Sequence, residues 1–191
     1  MSKENEFVLC QGVSLRSTQD VKPAFLVQGN DLRGVLSAQQ IIPVAEAFIE
    51  YVTEPVFFFV ELAAQVQEEF ETYYLDNCTK EVAMAVLKSY GELLANDGLS
   101  RFGFGSNSTD EELYFEDYQG FSAFVKDPEG FAKRLEKLGV QRRKSVKTLW
   151  DVLSDDNVGC LSAVELDGET VFDIPVLLKE AGMYRYQEEQ I

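Results

Sequence analysis

The apolar positions change their spacing several times along the chain, and each change marks an element. From Ala38 to Val52, the residues Ile41, Ala45, Phe48, Ile49 and Val52 recur at three- and four-residue steps, which lines one face of a helix. Pro43 is compatible with such a helix only near its first turn, and Pro55 follows its end. Val56-Phe57-Phe58-Phe59-Val60 is short, aromatic and β-branched, and predicts a buried central strand. A short strand over Thr72–Leu75 is expected next, after a polar helical turn holding Glu68, Glu69 and Glu71. Helical spacing returns between Thr79 and Ala95 with Val82, Val86, Tyr90, Leu93 and Leu94. Asn96-Asp97-Gly98 closes that helix, with the glycine expected in the left-handed conformation.

The period then drops to two. Leu99 to Phe104, Leu113 with Phe115, and Phe121 to Val125 read as three strands of an antiparallel meander, with Gly105 to Asp110 as a polar loop. Asp127-Pro128-Glu129 is a helix start, and Phe131, Leu135 and Leu138 form its stripe before Gly139. Another helix is expected from Ser145, with Val146, Leu149, Trp150 and Leu153 on one face. Val164 to Phe172 reads as a hairpin around Asp167-Gly168. A last short helix follows Asp173 and Pro175 and ends at Gly182. At the other end, Phe7 to Leu15 is a candidate strand, and residues 28–40 read as loop. Helices and strands mix without β-α-β alternation. The expectation is a single-domain α+β fold over residues 1–191, an antiparallel or mixed sheet with helices packed mainly on one face.

Composition narrows the function classes. Apolar residues make up 46% of the 191, enough to form a core and to exclude general disorder. No apolar run approaches the roughly 20 residues of a spanning helix, so no membrane is expected. Met1 to Glu6 does not read as a secretory leader. Cys10, Cys78 and Cys160 are sparse and form no C-x-x-C pair, which points to a reducing, cytoplasmic setting. The chain has no histidine. Ser-His-Asp and Cys-His catalysis and imidazole-ligated zinc are therefore excluded.

Net charge is −16, and it is uneven. Lys133, Arg134, Lys137, Arg142, Arg143, Lys144 and Lys147 stand against Glu136 alone, a local +6 that leaves −22 for the rest. So acidic a chain repels nucleic acid and attracts basic protein surfaces.

Asn96 to Gly105, Asp110 to Tyr114 and Leu149-Trp150-Asp151 together are similar to a group of small bacterial cytosolic proteins of unknown function. The resemblance spans roughly the C-terminal two thirds. It implies a bacterial cytosolic origin, and no activity, cofactor or catalytic residue.

Several segments are candidates for chemistry. In Phe102-Gly103-Phe104-Gly105, alternate glycines admit close approach of a flat ligand and the aromatics offer stacking; the plainer alternative is a bulged strand with both Phe in the core. Asp110-Glu111-Glu112 and Asp155-Asp156 have the oxygen ligands that Mg²⁺ or Ca²⁺ favour, although acids on a surface need no such role. Arg142-Arg143-Lys144 would bind an anion or pair internally. Trp150 is core or platform, and Cys78 would need Lys80 or a helix dipole to become reactive. The favoured expectation is a non-catalytic, inhibitor- or immunity-like protein that binds a basic protein partner, with Arg101, Phe102, Phe104, Arg142, Arg143 and Trp150 as exposed binding residues. No catalytic residue, cofactor or metal is assigned. The alternative is a carboxylate- or metal-dependent enzyme acting on a small or phosphorylated substrate.

Overall fold

In the computed structural model, which describes residues 7–64 and 70–187, two hairpins and a meander build one large sheet. The elements in chain order are β1 (Val13–Ser14), β2 (Ala24–Gln28), β3 (Asp31–Val35), α1 (Ala38–Tyr51), β4 (Val56–Ala63), β5 (Phe70–Cys78), α2 (Lys80–Asn96), β6 (Ser100–Ser106), β7 (Glu112–Phe115), β8 (Gly120–Phe124), α3 (Pro128–Lys137), β9 (Gln141–Arg142), β10 (Cys160–Leu161), α4 (Ile174–Leu177) and β11 (Tyr184–Arg185). The sheet has nine strands in the order β11-β5-β4-β6-β7-β8-β3-β2-β9. Every pair is antiparallel except β2 with β9, so the sheet is mixed. β1 and β10 form a separate two-stranded antiparallel sheet.

Side chains alternate across a strand, so register sorts each residue to one of two faces. On one face Phe58 lies opposite Phe104, Val60 opposite Phe102, and those in turn opposite Leu113 and Phe115. All six are at most 5% exposed. α1, α2 and α3 all contact the sheet and supply the buried partners Phe48, Ile49, Val86, Leu94, Phe131 and Leu135. Phe48 meets Phe131 edge-on at 5.6 Å, which joins α1 to α3. The α+β class, with helices on one face of the sheet, is thus as expected.

The helix starts follow from local chemistry. Thr79 accepts a hydrogen bond from the Val82 amide at 3.3 Å, and Asp127 accepts one from the Gly130 amide at 2.9 Å. Glu111 is buried and joins three elements. Tyr51 Oη, Thr109 Oγ1 and the Lys126 amide donate to its carboxylate at 3.0, 2.7 and 2.9 Å. Three donors offset the cost of taking that charge out of water.

Some expectations fail, each for a local reason. Residues 31–35 are a strand and not loop, because Gly29 at φ 64° closes a tight β2–β3 hairpin. Phe7 to Leu15 is broken by a turn at Gln11–Gly12, where the Val13 amide donates to Cys10 O, and is a strand only at β1. Gly98 does not adopt a positive φ. Its lack of a side chain serves instead where chains cross: the Gly12 amide donates to Asn96 O, and the Gly98 amide to Ser162 O. On α2, Val82 faces solvent, and the buried stripe recruits Ala83 and Leu87. The helix expected from Ser145 is only a 3₁₀ turn, Trp150–Val152, and just before it the amide and hydroxyl of Thr148 both donate to Asp151 Oδ2. At Asp167-Gly168 the turn forms, with positive φ at both residues, but only one bridge, Leu166 to Glu169, follows it. Of the polar turn expected before β5, Glu71 lies in the strand, while Glu68 and Glu69 lie outside the described residues.

Candidate functional site

The same alternation that buries Phe58 and Phe104 turns Phe57, Phe59 and Glu61 to the opposite face, beside Gly105, Gly103 and Arg101. Two glycines on β6 leave a bare strip of backbone there. The rings of Phe57 and Phe59 lie over it, so that a Cβ on Gly103 would sit 2.5 Å from Phe59 Cε1, and one on Gly105 would collide with the Phe57 ring. The glycines thus make room for the flat rings of the neighbouring strand, Phe57 and Phe59.

Around these two rings the face is aromatic. Tyr74 on β5 lies 5.8 Å from Phe59, and Tyr114 on β7 lies 5.5 Å from it on the other side. Phe57 is 6.1 Å from Tyr74. Tyr184 and Tyr186 extend the tract beyond β5, at 6.3 and 5.9 Å from Tyr74. Phe59 is buried beneath its neighbours, while Phe70, Phe124, Tyr184 and Tyr186 are exposed. No helix covers this face among the described residues.

The polar groups here are mostly acidic. Asp31, Glu61, Asp76, Glu112 and Asp117 stand against Arg33 and Arg101. Arg101 is fully engaged: it donates to both Asp117 oxygens at 2.9 and 2.6 Å, approaches Glu61 at 3.9 Å and covers the Phe70 ring at 4.1 Å. Hydrogen bonding to Asp117 raises its pKa further. Tyr114 donates to Glu61 at 2.6 Å, and burial together with that carboxylate holds the phenol protonated far above its ordinary range. Tyr184 donates to Asp76, and that bond pushes its pKa up to about 12. Glu112 differs from these. It faces Gly105 on one side and Phe124 on the other, and among the described residues no donor or cation reaches it. Burial, and then the charge of Glu61, push its pKa up.

The residues expected to bind are scattered. Phe102 and Phe104 are 2% and 0% exposed, so the expectation that they are exposed is corrected. They point into the helical core because the face is decided by register with Val60 and Phe58. Arg101 is on the open face. Arg142 and Arg143 are exposed on the opposite edge of the sheet, where β9 pairs with β2. Arg142 makes a two-pronged pair with Glu129 at 2.7 and 2.8 Å, and Arg143 bonds Gln141. Beside them is an open cleft of about 470 Å³. Trp150 is 55% exposed and packs edge-on against Tyr118 at 4.5 Å. It lies outside the core because the turn that carries it replaces the expected helix. Sequence reasoning missed the tyrosines at 74, 114, 184 and 186. The register that joins them to Phe57 and Phe59 pairs strands distant in sequence.

The acidic segments do not converge. Asp110 and the Asp155-Asp156 pair are exposed, Glu111 is buried in its own hydrogen bonds, and none of them lines the Arg142 cleft. Among the described residues, no group of three Cys, Asp or Glu is placed to hold a metal ion. The Cys10 thiol is pushed up to about 12 by burial, and burial also raises Cys78, so neither is a poised nucleophile. A small cavity of about 30 Å³ lies between β6 and the Glu116–Gly120 turn, the size of one or two waters. Asp97 faces it with a pKa raised by burial. The nearby Ser100 hydroxyl favours the charged carboxylate without completing a well-formed hydrogen bond. No helix among the described residues is long and apolar enough to cross a membrane.

Comparison with protein-family models, with curated proteins and with solved structures returns no match. The functional argument therefore rests on the open face itself.

Proposed function

We propose that this chain is a non-catalytic binding protein of the cytoplasm, of an inhibitor or immunity type, which docks a basic protein on its open sheet face. The observation that carries this is the union, among the described residues, of an uncovered aromatic tract with five carboxylates and two guanidinium groups. Tyrosine and phenylalanine supply area at small entropic cost, and the negative field steers and selects a cationic partner. A chain without histidine, whose Asp110–Glu112 and Asp155–Asp156 segments line neither of the two cavities described above, supports binding over transformation.

Immobilised protein incubated with native lysate at low and high salt tests the proposal. The expected result is a basic protein retained at low salt and released at high salt. Retention is lost when Tyr184 and Tyr186 are both changed to Lys and is kept when Val82, exposed on the helical side, is changed to Lys. Failure to recover any basic protein, or recovery indifferent to the tyrosine changes, overturns it.

A further inference from the structure

The open face is not uniformly satisfied. Glu61 accepts from Tyr114, Asp76 from Tyr184 and Asn107, and Asp117 from Arg101. Glu112 accepts from none of the described residues, although it is half-buried. A carboxylate in that position loses part of its hydration and regains nothing for it. Its surroundings are specific. The Phe57 ring folds over Gly105, directly opposite Glu112 on one side, and Phe124, 41% exposed, is its register partner on the other. Tyr114 is two residues along the same strand, on the same face.

The adjoining rows of the sheet show what completes such an arrangement. There Arg101 lies over the Phe70 ring and pairs with Asp117 and Glu61, so that ring, guanidinium and carboxylates form one unit. At Glu112 the ring and the carboxylate are present and the guanidinium is missing. Arg33, also outward, is opposite Ser122, two strands from Tyr114, and pairs with no carboxylate among the described residues. Resting on the docking reading above, we propose that Glu112, with Phe57 and Phe124, forms a subsite for an arginine side chain presented by the basic partner. Arginine is preferred over lysine because its planar, weakly hydrated fork stacks on a ring while donating two hydrogen bonds to one carboxylate. The guanidinium returns to Glu112 the hydrogen bonds that burial removed and neutralises the repulsion from Glu61. Charge complementarity selects the occupant: the face carries a surplus of carboxylates, and among the described residues Glu112 is the half-buried one without a donor, whereas Asp31, also without one, is exposed to water.

The test uses the full chain and defined probes. A short Gly-Arg repeat peptide, its Gly-Lys counterpart and its Gly-citrulline counterpart are titrated at low salt. Backbone amide shifts locate binding, and the side-chain carboxyl resonance of Glu112 reports the contact itself. The expected result is that the arginine peptide perturbs Phe57, Gly105, Glu112 and Phe124, binds more tightly than the lysine peptide, and leaves the citrulline peptide behind. Glu112→Gln is expected to weaken the arginine peptide at least about threefold, as for loss of an accessible charge pair with its ring contact. The same change leaves the lysine peptide nearly as it was. If the arginine peptide binds elsewhere on the open face and Glu112→Gln changes nothing, the subsite is wrong and the docking face stands. If no cationic peptide perturbs the face at low salt, both fall. If sedimentation shows a dimer whose interface protects the face from every peptide, the occupant is a second copy, and the subsite is overturned.

Discussion

Glu112 sets stability against recognition at a single position. Burial and the Glu61 charge make it bind its proton more tightly in the folded protein than in the unfolded chain. Its contribution to stability is therefore present at acidic pH, below the ordinary carboxylate value of about 4.3, and is lost as pH rises through the higher folded-state value. Glu112→Gln removes the titration. The variant is expected to be more stable than the parent at neutral pH, by less than about 1 kcal/mol, because water still reaches and screens a half-buried carboxyl. The difference should vanish on acidification to about pH 3, more than one unit below the ordinary value, where the parent's carboxyl is neutral in both states. Urea unfolding at several pH values measures it. A variant that is less stable at pH 7, or a difference that grows toward acid, contradicts an unpaired Glu112. Combined with weaker arginine binding, a gain in stability would mark this residue as kept for contact and not for folding.

At the scale of elements, the edge of the sheet next to the aromatic tract rests on two residues. β11 pairs with β5 only at Tyr184 with Tyr74 and Arg185 with Tyr73, helped by the Tyr186 amide donating to Thr72 O and by Arg185 meeting Glu71 at 2.9 Å. Ending the chain after Met183 should expose the unpaired backbone of β5, nine residues long and next to the Phe-rich β4. An uncovered edge of that kind recruits another strand. The truncated protein is expected to self-associate with rising concentration in sedimentation, while the full chain does not. A truncated protein that remains monomeric at every concentration would show that β11 is not the guard of that edge. Much of the sheet and all three long helices were legible from apolar spacing, because 3.6- and two-residue periods are local properties. The Val56–Val60 strand, the β6–β7–β8 meander and the Asp127 cap came from such signals. What was not legible depended on distant pairing. The expected Ser145 helix had the right apolar spacing, but Leu149 and Val152 are buried by elements from elsewhere in the chain and Trp150 is left outside. The Phe-Gly-Phe-Gly segment is unusual in the sequence itself, yet which of its residues face outward depends on register with β4.

The molecule as a whole carries its charge unequally. The open face and its β5 edge are acidic, while Arg142 and Arg143 lie at the far edge of the same sheet, partly neutralised by Glu129 and neighbours. A net −16 repels itself in the compact state, because folding brings the surplus carboxylates together. Added salt screens that repulsion over a Debye length of about 10 Å at 0.1 M. The melting temperature is therefore expected to rise by a few degrees between low and moderate sodium chloride, equivalent to about 1 kcal/mol at this chain length. The same screening weakens attraction between the open face and a cationic partner. Salt should thus move two measurements in opposite directions, upward for thermal unfolding and downward for capture of a basic protein. Hydrophobic docking through the aromatic tract alone would strengthen or hold steady as salt rises. Parallel titrations of melting temperature and of arginine-peptide affinity against sodium chloride separate these cases. Opposed slopes are the signature of one negative field that hinders folding and guides recognition, whereas slopes of the same sign would place the binding energy in the rings and leave the carboxylates without a role in it.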